Sequence, residues 1–162
     1  MPYVLRADEV LSVGLRIEEN GRDFYAACAR IVKDSAVRET FAFLTTQEQQ
    51  HIAHFRAIMR SGGSYKPPIE VAEDEAAFAR ALADGSIFTP SFTPEMAAAR
   101  AEDESAALHM AIGVEKDSII FYSHMEGFVP PTEQEAVREL RRQEEMHLRL
   151  LTERLTELPP RS

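Results

Sequence analysis

Two short stretches of this chain each occur twice, and both are built from side chains that bind metals or hold protons. Ile17-Glu18-Glu19-Asn20-Gly21-Arg22-Asp23-Phe24-Tyr25 is echoed by Val114-Glu115-Lys116-Asp117-Ser118-Ile119-Ile120-Phe121-Tyr122. Gln47-Glu48-Gln49-Gln50-His51 is echoed by Gln143-Glu144-Glu145-Met146-His147. The spacing repeats with the residues. Glu18 to Glu48 is 30 positions and Glu115 to Glu144 is 29; Glu to Tyr is seven in both halves, and Glu to His is three. The chain is an internal duplication with a period too long for a solenoid. Carboxylate, imidazole and phenol are the groups repeated, so the repeat points to a site as well as to packing.

Helix geometry turns the spacing into chemistry. Residues three and four apart share a helix face, and residues seven apart nearly eclipse. Glu48 and His51 can therefore reach one point from one helix, as can Glu144 and His147. Tyr25 lies two turns along the face of Glu18, and Tyr122 stands likewise to Glu115. A Glu from each of two helices, with Glu-x-x-His from each of two others, is the ligand set of di-iron carboxylate bundles. With turns placed near Asp34 and Pro130, antiparallel hairpins bring the four carboxylates to within about 3 Å of one height. Four carboxylates in a core are costly unless compensated. Two divalent cations would balance them, and no Lys or Arg occupies the matching inward positions.

Composition bounds the rest. The 162 residues suit one domain, with 44% hydrophobic residues for a core and 28% charged residues for a surface. A net charge of −9 argues against a nucleic-acid partner. The single cysteine, Cys28, excludes an intramolecular disulfide and any Cys-x-x-Cys metal site, and reads as a small half-buried residue. No long apolar run marks a signal peptide or a membrane span, so a cytoplasmic location is expected.

The elements that must position the site follow from periodicity. Asp8 can cap a helix over about 9–33, with Val10, Val13, Leu15, Ile17, Phe24, Ala27 and Ile31 on its apolar face. Asp34-Ser35 reads as a turn and cap for a second helix over about 36–60, with core positions Phe41, Leu44, Ile52, Phe55 and Ile58. This first hairpin spans about 8–61. A crossover over about 62–93 carries Pro67-Pro68, a short helical piece near 73–83, a break at Asp84-Gly85-Ser86 and the apolar stretch Ile87 to Phe92. Hairpins related by a two-fold axis need such a crossover. The second hairpin spans about 94–158. Thr93-Pro94 starts it, and the stretch 96–104 is either a separate short helix or the beginning of the third long one. The third helix carries Leu108, Ile112, Glu115, Ile119 and Tyr122 to near Phe128. After Val129-Pro130-Pro131, Thr132 and Glu135 read as a capping box for the fourth, which stops at Pro159-Pro160.

On these residues the chain resembles the rubrerythrin branch of the ferritin-like superfamily. The resemblance covers the four helices and rests on the paired Glu…Phe-Tyr and Glu-x-x-His motifs. It implies an all-α, ferritin-like four-helix bundle of two duplicated αα-hairpins joined by a long crossover with a short extra helix. It also implies an oxo-bridged centre of two iron ions bound by Glu18, Glu48, His51, Glu115, Glu144 and His147, with zinc or manganese as possible substitutes. Tyr25 and Tyr122 would then be hydrogen-bond donors to ligand carboxylates. The implied activity is that of an oxidoreductase reducing hydrogen peroxide or dioxygen. Two departures matter. Rubrerythrins carry a rubredoxin-like domain with four cysteines, absent from these residues, so a separate electron donor such as a rubredoxin is expected. They also carry an extra Glu three residues after the third-helix ligand, where this chain has Ser118, with Gly21 as its repeat partner. These small residues either leave room for the oxidant beside the metals or ease helix packing.

The remaining residues read more plainly. His54 suits the surface or an interface, with a channel or an extra metal as its functional reading, and His109 and His124 are assigned nothing. Glu19 and Glu145 point about 100° away from the ligands and read as solvated. Glu102, Asp103 and Glu104 fit a helix start, or a path guiding iron. Ferroxidase or iron storage is the alternative function, and a non-catalytic metal-binding dimer module is a third. A homodimer is expected in which the apolar crossover packs on a neighbour; the sequence leaves open whether helices swap between chains.

Overall fold

Four stretches with helical apolar periodicity become four long helices. The computed structural model describes residues 7–62, 65–67, 73–74, 77–79, 81–82 and 93–160. The helices are α1 (Ala7–Ile31), α2 (Ser35–Gly62), the short α3 (Pro94–Arg100), α4 (Glu104–Met125) and α5 (Gln134–Glu157). Side-chain caps set several of the ends. Asp34 Oδ1 accepts from Val37 N at 3.0 Å and opens α2. Thr93 accepts from Met96 N and Pro94 follows in the first turn of α3. Ala101 then leaves the helical region, and Asp103 restarts the chain as α4 by accepting from Ala106 N at 2.8 Å. The stretch 96–104 is thus the body of a separate helix plus a break.

Other ends depart from expectation. α1 already includes Asp8, which sits in the first turn as a favourable charge and not as the cap. The capping box at Thr132 does not form. Thr132 falls within a 3-10 turn, Pro131–Glu133, and no side chain caps α5. Glu135 is held instead by Arg138 and Arg142 at 3.2 and 2.7 Å. In the crossover, residues 73–74, 77–79 and 81–82 are helical, in keeping with the short helix expected there. The proposed break at Asp84-Gly85-Ser86 and the apolar stretch Ile87 to Phe92 lie outside the described residues.

The long helices form a four-helix bundle. Each packs on its hairpin partner and on one helix of the other hairpin, α1 beside α4 and α2 beside α5. Tyr25 on α1 reaches Glu115 on α4, while Tyr122 on α4 reaches Glu18 on α1. That reciprocal pairing requires α1 and α4 to run antiparallel. It makes α2 and α4 parallel, so the chain must travel back along the bundle between them; this is why a long connection is needed. α3 packs on α1 through buried Pro94, Ala97 and Ala98.

The apolar core has two parts. One gathers Phe24, Phe41, Leu44, Leu108 and Leu151; the other gathers Leu11, Phe55, Phe121, Met125 and Leu140. On every long helix the repeated Glu and His positions fall between residues of these two clusters, so apolar layers close a polar layer from both ends. Leu11 is fully buried, whereas Ile31, expected in the core, is 48% exposed at the end of α1. Cys28 is fully buried rather than half-buried, and burial pushes its thiol up to about 12. Gly14 permits a close approach: a Cβ there would lie 2.5 Å from the rings of both Phe55 and Phe121.

Candidate metal centre

The six carboxylate and imidazole positions of the repeat converge at mid-bundle within a single chain. Glu18 comes from α1, Glu48 and His51 from α2, Glu115 from α4, and Glu144 and His147 from α5. None is more than 3% exposed. Glu48, His51, Glu144 and His147 each offer one donor atom, and these atoms lie within 4.8 Å of one another.

The geometry divides around the two imidazoles. His51 Nδ1 lies 2.9 Å from Glu144, 3.3 Å from Glu18 and 3.8 Å from Glu48. His147 Nδ1 lies 3.2 Å from Glu144, 3.5 Å from Glu48 and 3.6 Å from Glu115. Glu48 and Glu144 are common to both groups, while Glu18 belongs to one and Glu115 to the other. The rings stack at 5.2 Å between centroids, inclined by 14°.

Tyr25 Oη donates to Glu115 Oε1 at 2.6 Å, and Tyr122 Oη donates to Glu18 Oε1 at 2.7 Å. Each tyrosine therefore serves the carboxylate of the other hairpin, although sequence spacing places it on the same face as the Glu of its own helix. Burial, followed by the charges of the nearby carboxylates, pushes both hydroxyls well above their ordinary range, so they remain proton donors.

The electrostatics are those of a crowded acidic site. Burial, then repulsion from Glu144 and Glu18, raises Glu48 well above the usual carboxylate range. Burial, then repulsion from Glu115 and Glu18, does the same to Glu144. Glu18 goes the other way. Burial pushes it up, but the adjoining His51, with its charge, and the neighbouring Glu48 and Tyr122 side chains hold it below that range. Burial alone would lower His147, yet the surrounding Glu115, Glu144 and Glu48 carboxylates carry it up to about 12. His51 is raised against burial by Glu18 and Glu48. The cluster holds protons where no cation is present, and a cation would displace them.

The donor set fits divalent metal ions. Glu18 Oε2, Glu48 Oε1, Glu115 Oε2 and His147 Nε2 are buried without a hydrogen-bond partner among the described residues, and orphaned buried polar atoms call for an explanation. The three carboxylate oxygens are suited to accept a cation. Mixed imidazole and carboxylate donors suit iron, manganese and zinc alike.

Residues beyond the repeat fall into place as structure. Glu104 Oε1 accepts from the backbone N–H groups of Lys33 and Asp34 at 2.7 and 3.1 Å, tying the first hairpin turn to the start of α4. With Asp103 as the cap, two of the three residues of that acidic run have structural partners. Glu19 pairs with Arg56 at 3.1 Å and Glu145 with Arg141 at 3.6 Å, both at the surface. His54 is exposed and lines a groove with Glu139 and Gln143. His109 bonds Ser105 O on its own helix, and His124 stacks on Phe78. Sequence reasoning missed Gln143 as a partner of the site. It stands 2.8 Å from His51 Nε2, and its only signal was its place inside the repeated motif.

Comparison with known proteins agrees with this architecture. No curated protein matches the sequence significantly. A candidate ferritin-like diiron-carboxylate protein of Thermotoga maritima, solved by crystallography, superposes with a TM-score of 0.64 at 23% identity, over 97% of this chain and 99% of that one. At that identity the likeness shows the fold. The sequence profile of the rubrerythrins matches residues 9–155, nearly the whole length. The chain belongs to the rubrerythrin family.

Proposed function

We propose that the protein is a di-iron carboxylate oxidoreductase that reduces hydrogen peroxide, or dioxygen, with electrons from a separate donor protein. The observation that carries this reading is the division of six buried donors into two overlapping groups, one around each imidazole Nδ1. Glu18 and His51 would hold one ion, Glu115 and His147 the other, and Glu48 and Glu144 would be shared. Two divalent charges would offset four carboxylates. The family match and the diiron-carboxylate description of the Thermotoga maritima protein favour iron.

An iron pair held by these residues would supply the two electrons that, with two protons, turn one peroxide into two molecules of water. The chain's residues prepare that step. Apolar layers above and below exclude bulk water and strengthen every charge interaction inside. Tyr25 and Tyr122 keep their protons and orient the Glu115 and Glu18 carboxylates. Gly21 leaves space beside Glu48, since a Cβ there would already lie 3.4 Å from its Oε2. Together with buried Ser118, it makes room for a small oxidant. A cytoplasmic homodimer is part of the proposal. Phe43 and Met146, 49% and 52% exposed on neighbouring helices, are apolar side chains that a second copy would cover.

The test is metal content of protein produced with iron, followed by stopped-flow absorbance of the reduced form mixed with peroxide and then with dioxygen. About two irons per chain and faster oxidation by peroxide are expected. Faster oxidation by dioxygen would replace the peroxidase reading with a ferroxidase one. Protein that binds only inert zinc would overturn both.

A further inference from the structure

A chain of hydrogen bonds leads from the site to the surface, and it does so on the His51 side. His51 Nε2 meets Gln143 Oε1 at 2.8 Å. Gln143 Nε2 donates to Glu139 Oε1 at 3.0 Å, while Arg142 holds Glu139 Oε2 at 2.9 Å. The roles follow from the inventory of donors and acceptors. An ionised carboxylate only accepts, so Glu139 must take the amide N–H of Gln143. That turns Gln143 Oε1 toward His51. A carbonyl oxygen only accepts in its turn, so His51 Nε2 must carry a proton. In the neutral ring the lone pair then lies on Nδ1, the atom facing Glu18, Glu48 and Glu144. An exposed ion pair thereby sets the tautomer of a buried imidazole.

The repeat breaks at this point. In register, Gln143 corresponds to Gln47 and Glu139 to Phe43. Phenylalanine offers no acceptor to orient an amide. Instead the Phe43 ring stands edge-on to His147, with centroids 6.4 Å apart and planes at 82°. Among the described residues, His147 Nε2 is buried with no hydrogen-bond partner. The two repeats share the donors of the site and differ in the outer support of one of them.

Given two bound metal ions, as proposed above, we infer that Gln143 is a positioning residue that makes the two half-sites unequal. The half-site of His51 and Glu18 takes its divalent cation first and more tightly, and that of His147 and Glu115 holds the exchangeable ion. A metal-binding histidine ordinarily donates its other N–H to an outer acceptor, and loss of that acceptor costs about 10–100-fold in affinity.

The experiment is titration of metal-free protein with cobalt(II), followed by visible absorption against a competing chelator. Wild type should show two resolved steps about 10–100-fold apart. Gln143→Leu should weaken the tighter step by a similar factor and bring the two together, while Gln47→Leu moves neither. Glu139→Ala, at a side chain 52% exposed, probes the same chain without touching the core, and should weaken the tighter step by less. A second readout is NMR of the zinc-loaded protein, in which the His51 Nε2 proton should be protected from exchange in wild type and exchange rapidly in Gln143→Leu. Unresolved steps in wild type, or equal weakening of both steps in Gln143→Leu, would overturn the inequality while leaving the two-metal reading intact. Absence of any cobalt binding would instead overturn the two-metal reading on which it stands.

Discussion

The half of the site around His51 is backed by polar groups out to solvent, whereas the half around His147 is backed by an aromatic edge. The two halves share Glu48 and Glu144, carry equivalent Glu and Tyr residues, and are closed by the same kind of apolar layers. They differ one helical turn behind the repeated Glu and His side chains, where one helix has Glu139 and the other has Phe43. Duplication therefore constrains the groups that face the charge and leaves the next layer free to diverge. An orphaned acceptor among four carboxylates is far costlier than a missing partner on one imidazole nitrogen.

The comparison is broken most severely by removing what the halves have in common. Glu48→Ala or Glu144→Ala takes a carboxylate from both and should abolish stoichiometric binding of both metals, a loss of more than about 100-fold for each. Glu18→Ala and Glu115→Ala should each cost one equivalent and leave the other. Metal content per chain after gel filtration distinguishes these results; retention of two metals by Glu48→Ala would contradict the shared role.

The crosswise tyrosines should act next. Tyr122→Phe frees Glu18 and should weaken binding in the His51 half by about 10-fold, while Tyr25→Phe frees Glu115 and should weaken the His147 half by a similar factor. Cobalt titration in two steps reads both. The opposite assignment would mean that each tyrosine serves its own helix.

Without metal, pH should act on the site as a whole. Glu48 and Glu144 have native pKa values raised above the ordinary 4.5, so the folded chain keeps protons that the unfolded chain releases, and stability falls as pH rises past that value. His147, raised from 6.5 to about 12, contributes fully below 6.5 and progressively less toward 12. Glu18, which is lowered, has the opposite sign, and its contribution disappears as pH falls below 4.5. Metal-free protein should therefore melt at a lower temperature at about pH 9 than at about pH 6, and the metal-loaded form should vary less. Calorimetry on both forms checks this; a metal-free Tm that climbs over that interval would refute it.

The smallest effect should come from repairing the weaker half. Phe43→Glu places behind Gln47 the carboxylate that Glu139 places behind Gln143. One added hydrogen bond is worth about 1 kcal/mol, or about 5-fold in affinity. The weaker cobalt step should tighten by that factor with the stronger one unmoved.

Much of this protein is legible from local rules. The helical period located all four long helices, and Asp34 and Pro94 marked the starts of α2 and of the short α3 because caps and first-turn prolines act within three residues. The repeated Glu and His positions could be placed on helix faces, since 3.6 residues per turn leaves little choice. Local rules failed where a competitor came from elsewhere. Thr132 did not cap α5 because the chain entered it through a 3-10 turn. Glu104, one residue of an acidic run, turned out to hold the distant backbone of Lys33 and Asp34.

By itself, then, the sequence determined the helices, their pairing into two hairpins and the six buried groups with the chemistry they can support, because these depend on residue type and on spacing within one helix. Only the tertiary structure decided which tyrosine serves which carboxylate, which two carboxylates both imidazoles share, and which imidazole is supported from outside. Each of those depends on the antiparallel crossing of α1 with α4 or on the packing of α2 against α5, and no spacing along a single helix encodes the distance between two of them.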